Sequence, residues 1–289
     1  MILENERWAV TITETGAELT AIYDKKQQTD LLWEGAAPFW RRHAPVLFPH
    51  VGRTWGDVLR LNGRVYPCMQ HGFARSQVFT AVQEGKETGI FTLCANEETR
   101  EKYPFDFVLC ITYTLGEKEL QVRWQVENRG HDPMPFTIGG HPAFRFAEKE
   151  GKKEDYCLYF PGKEELSYCR LDTRHGTAIP EKVYRLKTDG GYVPLSDGMF
   201  KEDALIFDGG QIEEAWLCRK DGTPRVGLRS RDFPNYGIWS MVGAPFVCLE
   251  PWQGRCDDCG ENRDFSEKPD AVVLAAGESF QKEYQILVP

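Results

Sequence analysis

The chain has 289 residues, 41% of them hydrophobic, enough for a large buried core in one or two domains. A net charge of −9 and a pI near 5.3 argue against nucleic acid or an anionic membrane as a partner. Residues 1–7 carry acids where a secretory signal needs a basic start and an apolar run, and no apolar stretch approaches a membrane span. A cytoplasmic location is therefore expected.

Taken in chain order, period-two alternation dominates and helical periodicity is scarce. Residues 8–12 and 19–23 read as opening strands around a turn at Glu14-Thr15-Gly16. Residues 78–82 and 90–94 form a hairpin across Glu84-Gly85-Lys86-Glu87. The clearest pair is 107–115 with 120–128, joined at Gly116-Glu117. In its second arm Leu120, Val122, Trp124 and Val126 face one way and Gln121, Arg123, Gln125 and Glu127 the other. Short strands also fit at 156–160, 204–207, 215–218, 225–228, 237–241, 246–249 and 280–288, and the mixed-charge stretch 148–155 reads as an exposed loop. Many short strands without alternating helices, no repeat and no linker predict an all-β sandwich in a single domain.

Three segments stand out chemically. Residues 41–77 hold six arginines (Arg41, Arg42, Arg53, Arg60, Arg64, Arg75), no lysine and one acid, Asp57. Such a set suits bidentate recognition of carboxylate, phosphate or polyol oxygens, or else a solvated face paired with acids elsewhere. His71 begins His71-Gly72-Phe73-Ala74-Arg75, where glycine lets a ligand approach the backbone. His141 in Gly139-Gly140-His141-Pro142 and Glu250 in Val247-Cys248-Leu249-Glu250-Pro251-Trp252 share one device. Each is a titratable side chain before a proline, which holds it extended. A general acid and a general base both need such fixity. Burial among Phe246, Leu249 and Trp252 should raise the carboxyl pKa of Glu250; the plainer alternative is a strand-end Glu paired with Arg255.

The nine cysteines follow no repeating interval, and several lie in apolar strand patterns as buried thiols would. Cys256-Asp257-Asp258-Cys259 has the spacing of half a zinc site, but no second Cys-x-x-Cys completes it, and it reads as a loop with incidental cysteines. There is no nucleotide or flavin motif and no recognisable metal-ligand spacing, so neither cofactor nor metal is expected.

Leu47-Phe48-Pro49-His50-Val51-Gly52-Arg53, His71-Gly72-Phe73-Ala74-Arg75, Gly140-His141-Pro142-Ala143-Phe144 and Cys248-Leu249-Glu250-Pro251-Trp252 occur in one order along the chain. That order resembles the aldose 1-epimerase (galactose mutarotase) family, and its form is most similar to the LacX-type bacterial branch. Residues 201–207 and Gly237-Ile238-Trp239-Ser240 are similar to that branch too. The resemblance implies a galactose mutarotase-like β-supersandwich of antiparallel strands, without cofactor, that binds a sugar in an open cleft. It further implies Glu250 as general base, His141 as general acid, and Arg53, His71 and Asp203 as ligands of sugar hydroxyls. Trp239 and Trp252 are candidates for stacking on a sugar face or for plain core packing.

The expected activity is interconversion of the α and β anomers of a free hexose by ring opening and reclosure. Two alternatives stay open: a hexose-6-phosphate mutarotase, with Arg75 and one of Arg41, Arg42 or Arg64 clamping the phosphate, and a carbohydrate-binding protein without turnover. The preferred aldose and the oligomeric state are not legible in the sequence.

Overall fold

The computed structural model describes residues 1–147 and 151–289. Two antiparallel sheets of nine strands each carry the molecule. The first runs, edge to edge, Tyr192–Pro194, Tyr156–Tyr159, Glu214–Arg219, Pro224–Arg229, Ser279–Leu287, Glu119–Asn128, Phe107–Leu115, Thr88–Cys94, Thr80–Glu84. Its central register is the expected one: Leu115 faces Leu120 and Phe107 faces Asn128, so the alternating apolar side chains all enter the core. The second sheet runs Thr177–Ala178, Glu165–Asp172, Leu205–Asp208, Asn235–Trp239, Phe246–Gln253, Ile138–Gly140, Val46–Leu47, with Ala143–Arg145 added beside Phe246–Gln253 and Tyr184–Lys187 beside Glu165–Asp172. A four-stranded sheet, Ile2–Glu4 to Thr29–Asp30, opens the chain. One continuous apolar cluster extends from Leu3 to Val288 and joins all three sheets, as a single-domain all-β reading requires.

The only α-helix among the described residues is Glu97–Lys102, one capped turn and a half held by a reciprocal Asn96–Thr99 box. No helix there is long and apolar enough to cross a membrane. The hairpin expected at 78–94 forms as Thr80–Glu84 with Thr88–Cys94. Part of the loop expected at 148–155 lies outside the described residues. Lys152, Glu154 and Asp155 are exposed as expected, but Lys153 is buried, its ammonium donating to the carbonyls of Met241 and Ala244 and pairing with Asp197 at 2.8 Å. A buried cation is tolerated when fully paired in this way.

Phe246–Gln253 lies inside the second sheet, with Gly237 opposite Glu250 on one side. On the other side the ladder is broken. Gly139 pairs with Trp252 and Ala143 with Cys248, so residues 140–142 cross the gap opposite Leu249, Glu250 and Pro251. Pro142 has no N–H to give a ladder, which explains the interruption. The chain is held across it by Leu249 N–H donating to Pro142 O at 3.3 Å and His141 N–H donating to Pro45 O at 3.2 Å. Alternation along the strand sends Val247 and Leu249 into the main core and Cys248, Glu250 and Trp252 to the opposite face. That face is the floor of a cleft.

Candidate active site

The break in the ladder delivers His141 directly over Glu250, with Nε2 and Oε2 3.3 Å apart. Both side chains are almost entirely buried. His141 is held on three sides by rings: Trp40 stacks on it at 4.6 Å, while Trp239 at 5.6 Å and His71 at 5.5 Å meet it edge-on. Its Nδ1 and the Oε2 of Glu250 have no hydrogen-bond partner. Burial pushes the imidazole down to about 3. Burial, and then the charge of Asp203, pushes the Glu250 carboxyl well above the usual carboxylate range. Both shifts act in one direction, weighting the uncharged forms of the two side chains against their ion pair. Arg255, the structural alternative as partner of Glu250, is engaged instead by Asp208 at 3.0 Å and Asp258 at 2.7 Å.

These residues open into a cleft of about 330 Å³, the volume of a small-molecule site. Its lining includes Gln70, His71, Arg75, Asp203, Met241 and the three tryptophans Trp40, Trp239 and Trp252. Trp252 lies flat because two glycines make room: a Cβ at Gly237 would come within 2.3 Å of its ring and one at Gly139 within 2.6 Å. The Trp40 loop is tied to the N-terminal sheet by Glu18, whose buried carboxylate accepts from the N–H of His43 at 2.7 Å and pairs with Arg42 at 3.4 Å.

His71 sits at φ +67, a left-handed conformation rare for a non-glycine residue. Gly72 follows at φ +68, and a Cβ there would lie 2.2 Å from the carbonyl oxygen of Phe48. The turn locks onto the neighbouring loop reciprocally: His71 N–H donates to Gly52 O at 2.8 Å and Gly52 N–H donates to His71 Nδ1 at 3.0 Å. With Nδ1 accepting, Nε2 carries the proton of the neutral ring. Burial keeps that ring neutral, its pKa well below the ordinary value. Asp203 is the second left-handed residue on the cleft, also at φ +67. It retains exposed surface on the cleft side, while protein atoms crowd its carboxyl and raise its pKa against a bond from Ala204 N–H at 2.7 Å. Two backbone outliers facing one cavity carry strain of roughly 1–3 kcal/mol each, a pattern that clusters at functional sites.

Of the five residues singled out in the sequence, four converge on this cleft: Glu250, His141, His71 and Asp203. Arg53 is set apart. Its stem passes behind Gly176, and its guanidinium pairs with Asp57 at 2.9 Å, half exposed. The arginine that does line the cleft is Arg75, which donates to the carbonyl of Gln70 at 2.6 Å. Trp40 escaped the sequence reading; its one signal is an aromatic pair, Phe39-Trp40, just before Arg41-Arg42 in a segment without strand pattern. Cys256 and Cys259 are not joined in a disulfide: both are free thiols, Cys256 buried in the cleft wall and Cys259 exposed.

A family profile described as Aldose 1-epimerase matches residues 1–287. The chain belongs to the aldose 1-epimerase family. Membership makes it a mutarotase-class enzyme with a sugar as substrate. The chain is 31% identical to the plasmid-encoded protein LacX of Lactococcus lactis subsp. lactis, over 99% of this chain and 98% of that one. Among solved structures, it superposes on a galactose mutarotase related enzyme from Lactobacillus acidophilus with a TM-score of 0.93 and 32% identity, covering 99% and 96% of the two chains. A galactose mutarotase-like protein from Lactobacillus casei gives 0.88 at 32% identity and 99% of both. The mutarotase-like β-supersandwich and the LacX-type likeness expected from the ordered motifs are thereby established.

Proposed function

We propose that this enzyme interconverts the α and β anomers of a free aldohexose, with Glu250 as general base and His141 as general acid. The observation that carries the proposal is the 3.3 Å separation of the two side chains over the floor of an open cleft. The anomeric hydroxyl and the ring oxygen share one carbon, so groups this close can reach both. An Oε of Glu250 takes the hydroxyl proton while Nε2–H of His141 protonates the ring oxygen, and the C1–O5 bond opens to the aldehyde. Rotation about C1–C2 and reclosure with the roles exchanged yields the other anomer. Opening turns a carboxylate and an imidazolium into a neutral acid and a neutral imidazole. Burial favours that neutral form at both residues. The site's electrostatics thus assist ring opening, while sugar hydroxyls supply the hydrogen bonds that the charged form needs. His71 Nε2–H and Asp203 orient the sugar, and Trp40 or Trp239 faces its apolar side. Arg53 reaches a hydroxyl by leaving Asp57, an exposed ion pair worth no more than about 1 kcal/mol.

The test is anomeric exchange, followed by polarimetry or NMR after adding fresh α-glucose or α-galactose. Catalysed equilibration that disappears in Glu250→Gln supports the enzyme; a bound sugar without acceleration points to a binding protein instead. One observation favours a second reading, an anionic sugar. Arg75 has no carboxylate within 4 Å among the described residues, and burial and the neighbouring Arg42 lower its pKa to about 10, so its charge would gain from a phosphate. Comparing each hexose with its 6-phosphate decides between them: preference for free sugar, undiminished in Arg75→Ala, removes the phosphate.

A further inference from the structure

Cys248 is a fully buried thiol that the proton-transfer chemistry leaves unused. It stands two residues before Glu250, so both side chains leave the same face of the strand. The ligand atoms of His141, Cys248 and Glu250 all lie within 4.8 Å of one another, although no spacing in the sequence announces them as a set. From these positions we infer that His141, Cys248 and Glu250 form a site for one soft divalent cation, zinc or cadmium, whose occupation shuts down proton transfer.

Four observations support the site. The 3.3 Å between His141 Nε2 and Glu250 Oε2 equals the edge of a tetrahedron with metal–ligand bonds of about 2.0–2.1 Å. Glu250 Oε2 is buried without a hydrogen-bond partner, so a cation there displaces no existing bond. One thiolate and one carboxylate neutralise a doubly charged ion, which a buried site requires. Finally, imidazole, thiolate and carboxylate together select zinc or cadmium over magnesium or calcium, which demand oxygen cages. Binding expels the thiol proton, and the Glu250 proton where it is held, through the cleft to solvent. Two of the three ligands, His141 and Glu250, line the cleft, from which water would complete the coordination. A bound ion occupies the same atoms that would touch the anomeric hydroxyl and ring oxygen, so ion and sugar exclude each other.

The inhibition rests on the proposed activity whereas ion binding does not, so the test includes a readout that needs no turnover. Full-length protein carrying Cys94→Ser and Cys259→Ser, to remove exposed thiols, is stripped with a chelator and titrated with Cd²⁺ while the thiolate-to-metal absorption is recorded. One ion per chain is expected, with affinity lowered at least tenfold by Cys248→Ala and by Glu250→Gln and unchanged by Cys256→Ala. Cys248→Ser, of nearly equal volume, guards against a misfolded alanine variant and should lose the band equally. In mutarotation assays Zn²⁺ inhibits and a chelator restores, whereas the turnover remaining in Cys248→Ala needs at least tenfold more Zn²⁺ to suppress. A band of undiminished affinity in both Cys248 variants overturns the site. So does equal zinc sensitivity in the presence and absence of the thiol.

Discussion

His50 offers a sharp test of the scaffold beneath the cleft. It is wholly buried beside an apolar cavity of about 370 Å³ walled by Leu59, Pro67 and Phe73, and neither ring nitrogen has a well-formed hydrogen bond. Burial, reinforced by cationic Lys268, holds its pKa down to about 3. The unfolded chain, with an ordinary value near 6.5, therefore binds the extra proton first as pH falls. Stability from this residue is complete above about pH 6.5 and drains away as pH drops towards 3, at about 1.4 kcal/mol per unit. Between pH 7.5 and 4.5 the loss comes to about 2–3 kcal/mol. His50→Leu cannot titrate and fills a similar volume, so it should lose that much less over the same interval. Urea unfolding of both proteins at the two pH values measures the difference, because contributions from His71 and His141 are common to both. Equal losses in the two proteins would refute the burial argument.

Glu250→Gln and His141→Asn should each lower kcat by about 10²–10⁴-fold, measured as anomeric exchange, while the protein stays folded by circular dichroism. Arg53→Ala should mainly raise KM; loss of turnover at saturating sugar would mean that Arg53 touches the reacting atoms. Gly237→Ala drives a methyl group into the Trp252 ring and should destabilise the fold by about 1–3 kcal/mol, read from its denaturation midpoint, with weaker sugar binding in parallel.

How much of this was legible in the sequence depends on how local the cause is. The long strands around Gly116 follow from alternation, since each apolar position in Phe107–Leu115 and Glu119–Asn128 marks the buried face without outside help. Val46–Leu47, Ile138–Gly140 and Ala143–Arg145 are two or three residues long and exist only because distant segments pair with them, so no local pattern announces them. In the cleft, a proline after His141 and another after Glu250 flag the proposed acid–base couple. Their approach to 3.3 Å is a property of the ladder break. Arg53 and Arg75 are equally prominent in the arginine-rich segment, and only the fold decides that one meets Asp57 and the other lines the cleft. Lys153 shows the opposite failure: a polar neighbourhood in sequence conceals a buried cation whose partners, Asp197, Met241 and Ala244, are all remote along the chain.

The cleft is assembled from two kinds of parts. Its base comes from neighbouring strands bound along their lengths, whereas Trp40, Gln70, Arg75 and Gly176 sit on connections that leave those strands untouched. Substitutions at Gln70, Arg75 and Gly176 can therefore retune which sugar fits while leaving in place the Trp40 ring that packs on His141. The division of labour makes this scaffold a natural starting point for altering sugar preference by loop grafting, provided that Trp40 and its packing on His141 are kept.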